Sequence, residues 1–91
     1  MRIKYREAER VVTKLRLEPA GRKHHNQYKL VFNGVYVLRT RFSHGAGEMR
    51  ATDQFRAQLK LNENQLKGVI QCTFEYEDYV ALLKQKGLIP Y

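Results

Sequence analysis

The 91-residue chain has one cysteine, Cys72. A lone thiol excludes an internal disulfide and every cysteine-rich zinc site, and a small apolar core position is where such a residue is expected. No apolar run approaches the length of a membrane span, and the opening "MRIKYREAER" lacks the apolar segment of a signal peptide. A cytoplasmic protein with no membrane contact is therefore expected. Low-complexity tracts, internal repeats and linkers are also missing. A chain this short has room for one domain, residues 1–91, and not for a large pocket that encloses its substrate. With 43% hydrophobic residues, six tyrosines and four phenylalanines, it has what a modest core needs.

Acidic residues are scarce where basic ones are dense. Residues 1–50 hold twelve Lys/Arg against four Asp/Glu, whereas residues 51–91 hold five against five. The net charge of +8 thus belongs entirely to the first half. A basic half on a neutral scaffold is the electrostatic footprint of a polyanion-binding protein, most often one that binds nucleic acid. Solubility alone is the competing explanation.

Tyr5, Ala8, Val11, Val12 and Leu15 recur at helical spacing, which predicts an amphipathic helix over 3–15, stopped by Pro19 and Gly21. "RLEPAG" suits a short edge strand, where proline is tolerated. From Tyr28 the period changes to two, and "YKLVF-NG-VYVLRTRFS" reads as a hairpin. A two-residue Asn33-Gly34 turn would pair Phe32 with Val35 and mix Tyr28 and Leu30 with Arg39 and Arg41. A three-residue bulged loop with Gly34 left-handed would pair Val31 with Val35. It collects Tyr28, Leu30, Phe32, Tyr36, Leu38, Thr40 and Phe42 on one face, and His25, Gln27, Lys29, Val37, Arg39 and Arg41 on the other. The second register is expected, with His25 opposite Arg41.

"SHGAGE" at 43–48 reads as a loop, and three helical segments follow. Ala51, Phe55 and Leu59 mark the first. Asn62 and Gln65 form a capping box at the start of the second, with Leu61 and Leu66 as a staple. The third starts near Thr73, has Glu75, Glu77 and Asp78 in its first turn, and ends at Gly87 with Leu83 meeting Leu88. Phe74, Tyr76 and Tyr79 recur with Leu82 and Leu83 at helical spacing, which favours packing over base stacking. The fold class expected is α+β: a small antiparallel sheet, helix 3–15 on one face, and a C-terminal helical region.

Three histidines, His24, His25 and His44, lie in the basic half. Adjacent strand residues point to opposite faces, so His24 and His25 do not readily share one ion, and no metal or cofactor is expected. A neutral imidazole beside guanidinium groups suits acid–base work on RNA: it takes the 2′-hydroxyl proton, and the cations stabilise charge developing on the phosphate. An exposed strand histidine without a role is the alternative.

These features together resemble the HicA-type toxins, small RNA-cleaving proteins. The resemblance is carried by an N-terminal helix, a short strand, Gly21, a histidine three positions before an aromatic (His25, Tyr28), a turn, a strand, and a "SHG" loop leading into a helix. It covers roughly residues 5–66. It implies the α-β-β-β-α order of the double-stranded-RNA-binding fold over 1–60, with 61–91 as a helical extension. It also implies RNA as the ligand, an antitoxin protein as partner, and metal-independent ribonuclease chemistry. The family's catalytic histidine is matched by His25 when counted from the aromatic, and by His24 when counted from the glycine. The sequence reads Gly21-Arg22-Lys23-His24-His25, without the family's usual Gly-Ser before the histidine. The nucleic-acid contacts expected are Arg22, Lys23, Lys29, Arg39, Arg41 and His44.

Two other readings remain. Residues 53–71, "DQFRAQLKLNENQLKGVIQ", have the helix-turn-helix pattern of a DNA-binding regulator, although the second helix offers only Lys67 as a cation. A protein-interaction module without nucleic acid is the other.

Overall fold

The computed structural model describes residues 1–21, 26–42 and 47–89. The order is α1 (Tyr5–Lys14), β1 (Glu18–Gly21), β2 (Asn26–Phe32), β3 (Val35–Phe42), α2 (Thr52–Gln58), α3 (Glu63–Ile70) and α4 (Tyr76–Gln85). The three strands form one antiparallel sheet in the order β1-β2-β3. The chain is therefore α+β, with the expected α-β-β-β-α order and two further helices. Among the described residues, no helix is long and apolar enough to cross a membrane.

The core follows from the periodicities. Ala8, Val11, Val12 and Leu15 line one side of α1 and are buried, while Arg6, Glu9 and Arg10 face out. Leu30, Leu38 and Phe42 bury one face of the sheet. Phe42 stacks on Tyr28 at 5.6 Å between ring centroids and meets Phe55 of α2 edge-on at 5.4 Å. Such pairs add about 0.5–1.5 kcal/mol beyond their area burial. Leu61, Leu66, Val69, Tyr79, Leu83 and Ile89 belong to the same cluster, so residues 61–89 complete the core instead of hanging from it. The N-terminus is pinned by buried bonds: Ile3 N donates to Thr52 Oγ1 at 3.1 Å, and Thr52 Oγ1 donates to the Met49 carbonyl at 2.7 Å.

The start of α3 is as expected, whereas α1 begins at Tyr5 and not at residue 3. Asn62 and Gln65 close a reciprocal capping box, with bonds of 2.8 and 2.9 Å, and Leu61 and Leu66 are both buried. The helix expected from Thr73 begins later, at Tyr76. The Thr73 and Phe74 amides are already bonded to the Gly68 carbonyl, at 2.8 and 3.1 Å, and finish α3 instead of starting α4.

Helix ends share one device, the pair of bonds that closes a helix around a left-handed residue. Gly87 fills that position in α4, with φ +76° and Leu88 N donating to the Leu83 carbonyl at 2.9 Å. In α1 the residue is Arg16 (φ 57°), with Leu17 N donating to Val12 O at 2.9 Å, so α1 stops ahead of Pro19 and Gly21. Lys60 (φ 63°) closes α2 and Cys72 (φ 64°) closes α3. Cys72 is consequently exposed, not a core residue: the left-handed turn faces it outward, where Lys14 Nζ donates to its sulfur and to the Val69 carbonyl.

The hairpin turn departs from the expected one. Asn33 (φ 50°) and Gly34 (φ 79°) form a two-residue turn with both residues left-handed, and Phe32 pairs with Val35. Asn-Gly is the preferred dipeptide for this turn because its twist matches that of the strands. The ladder then shifts: Val31 pairs with Tyr36 but Leu30 pairs with Leu38, leaving Val37 as an extra residue. This bulge restores the core face that the tight turn alone would have lost. Tyr28, Leu30, Leu38, Thr40 and Phe42 share that face as expected, but Tyr36 does not and is 56% exposed.

Candidate nucleic-acid interface

The uncovered face of the sheet carries the charge. Along β2 and β3, Lys29 pairs with Arg39 and Gln27 with Arg41, so all four side chains point away from the core. Arg39 and Arg41 are exposed; Gln27 and Lys29 are half-buried. Glu18 of β1 pairs with Lys29 and is the acidic residue of this face. Among the described residues, however, the one ion pair within 4 Å is Arg56 with Asp53 of α2, elsewhere on the molecule. Among the described residues, the cations of the sheet thus have no carboxylate within ion-pair distance.

At the β3 edge this face deepens into a pocket of about 270 Å³ lined by Gln27, Arg39, Thr40, Arg41 and Gln58. α2 builds its wall. Gln58 Oε1 accepts from Thr40 Oγ1 at 2.7 Å and from the Arg41 backbone N–H at 3.3 Å, which satisfies an edge-strand donor and buries the Thr40 hydroxyl with a partner. The acceptor end of Gln58 is thereby used, and what remains for a ligand is its amide NH₂, a donor. With two guanidinium groups and no carboxylate in its lining, the pocket suits a phosphate or another anion.

Of the expected contacts, Lys29, Arg39 and Arg41 come together on this face. Arg22, Lys23, His24, His25 and His44 lie outside the described residues. The residue opposite Arg41 is Gln27, not His25; the two-residue turn and the bulge at Val37 each move the register of the outer ladder by one position from the one expected. Gln58 and Tyr36 were not anticipated. Gln58 acts through a bond eighteen residues away in sequence, for which no local signal exists. For Tyr36 the available signal is the preference of Asn33-Gly34 for a two-residue turn, which sets its pairing with Val31.

The helix-turn-helix residues are occupied by packing. α3 buries Leu66, Gly68 and Val69, lies against α1, and has its Val69 carbonyl held by Lys14. Its exposed positions Glu63, Asn64 and Lys67 carry one acid and one base, not a cationic stripe. Phe74 and Tyr76 are half-buried, with Arg16 lying 4.2 Å above the Tyr76 ring, and Tyr79 is fully buried with its hydroxyl donating to the Leu59 carbonyl at 2.9 Å. Comparison with family models, with curated proteins and with solved structures finds no match to this chain.

Proposed function

We propose that the protein binds RNA on the open face of its sheet. The observation that carries this reading is the exposure of Arg39 and Arg41 beside Lys29, with no carboxylate in ion-pair reach among the described residues, over a pocket lined by donors. Phosphate contacts of this kind supply affinity without reading sequence, and the excess charge of residues 1–50 adds to the long-range attraction. The resemblance to HicA-type toxins supports RNA as the polyanion. It also supports a chemical step, in which His25, two residues before Gln27 in the sequence, takes the 2′-hydroxyl proton while Arg39 or Arg41 stabilises the charge on the phosphate. An antitoxin protein is the partner this resemblance adds.

The test is fluorescence anisotropy with labelled RNA and DNA of one sequence, each single- and double-stranded, over a salt series. RNA is expected to bind with an affinity that falls linearly in log–log form with salt and to outcompete DNA. A preference for duplex DNA would transfer the function to residues 53–71. Failure of every nucleic acid to bind at low salt would leave a protein-interaction module.

A further inference from the structure

The hairpin tip carries a feature that charge alone does not explain. Val35 and Tyr36 are 41% and 56% exposed, two of the three large hydrophobic residues left open among the described residues. Tyr36 pairs with Val31, and Val31 alternates along β2 with Lys29 and Gln27. The Tyr36 ring therefore stands on the charged face, in line with Lys29, Arg39 and Arg41. The bulge at Val37 is what puts it there, since an unbroken ladder with Leu30 opposite Leu38 would place Tyr36 with Phe32.

An exposed aromatic at one end of a row of cations, with a donor-lined pocket at the other, matches the chemistry of a single strand. A phosphodiester backbone needs cations along its path, and an unstacked base needs an apolar π-face. A duplex offers its phosphates but keeps its bases stacked. Tyr36 and Arg41 lie opposite Val31 and Gln27, four residues apart along β2, a span of about 13 Å at strand rise, which suits a few nucleotides of extended chain. Tyr28, also on β2, is stacked against Phe42 on the core face and is not open to this use.

We infer that this face takes single-stranded RNA, with one base stacked on Tyr36 and the following phosphates on Lys29, Arg39 and the Arg41 pocket. The inference rests on the RNA-binding reading and specifies its substrate class. It is tested with an unstructured RNA of about ten nucleotides, within the site sizes of single-strand modules, beside a blunt duplex containing the same sequence. Wild type, Tyr36→Ala and Tyr36→Phe are compared, with their unfolding midpoints as a folding control. The single strand is expected to bind more tightly than the duplex. Tyr36→Ala should weaken single-strand binding about 5- to 150-fold, the usual range for one lost stacking partner, and leave duplex binding unchanged. Tyr36→Phe should bind as wild type. Equal binding of the single strand by Tyr36→Ala and wild type overturns this inference and leaves RNA binding standing. Absence of any RNA binding by wild type overturns both. A wild-type dimer that Tyr36→Ala dissociates, with RNA binding unaltered, would assign Tyr36 to a second copy of the chain and overturn the stacking role.

Discussion

Lys29 and Arg39 stand directly opposite each other across β2 and β3, two cations in a position where strands usually pair opposite charges. Glu18 flanks Lys29 from β1 without forming an ion pair within 4 Å. Directly opposed like charges destabilise a sheet by a few tenths to about 1 kcal/mol, so the free protein is less stable than it would be with a neutral partner at this site. Arg39→Thr, which keeps strand propensity, is expected to raise unfolding free energy by up to about 1 kcal/mol in urea titrations and to weaken RNA binding in the same preparation. A loss of stability would mean that the repulsion is already relieved in the free protein.

The footprint is separable by salt. Removing two phosphate contacts should lower the slope of log affinity against log salt by about 1.4 for a single strand. Arg39→Ala with Arg41→Ala is expected to give that change. Arg6→Ala with Arg10→Ala, on the outer side of α1, removes equal charge and should shift affinity only slightly. The opposite result would move the binding surface to α1.

Cleavage has a sharper signature than binding. A neutral histidine acting on the RNA 2′-hydroxyl requires that hydroxyl and no metal, so a deoxy substitution at the cut site should abolish cleavage and excess chelator should leave it untouched. His25→Ala should slow cleavage by on the order of a hundredfold or more with binding nearly unchanged, as read in single-turnover assays. A loss confined to His24→Ala would assign the base to His24, the match counted from Gly21. Retained binding with no cleavage by wild type would define a binding module.

Much of the fold was legible because its signals are local. The apolar stripe of α1, the Asn62–Gln65 box and the Gly87 closure each depend on residues within a few positions of one another. What escaped depended on competition between local rules. The hairpin had two incompatible demands, a turn favoured by Asn33-Gly34 and a core face favoured by Leu30, Leu38 and Phe42. A bulge inside β3 meets both, whereas the bulge expected within the turn meets only the second. Arg16, Lys60 and Cys72 adopt left-handed conformations that their side chains do not announce, because the packing of Leu17, Leu61 and the residues after Cys72 sets where each helix must stop. Lys29, Arg39 and Arg41 share one sheet face as expected, since alternation alone sorts them. Gln58 joined them through tertiary contact.

Tyr79 gives the core a pH limit. Its ring is fully buried, and burial pushes its hydroxyl well above the ordinary value of about 10. Folding therefore holds a proton that the unfolded chain releases once pH exceeds about 10, and the stability contributed by the neutral buried phenol is intact below that pH and lost above it. For this group the loss approaches about 1.4 kcal/mol per pH unit. Tyr79→Phe removes the titration and also the 2.9 Å bond to the Leu59 carbonyl, at a cost of about 1 kcal/mol at neutral pH. Urea unfolding of both proteins should show the variant less stable at pH 7, the gap closing as pH rises, and the two curves meeting near about pH 11, where the proton term has offset the hydrogen bond. Parallel curves across that range would mean that the Tyr79 hydroxyl ionises as readily in the folded protein as in the unfolded chain.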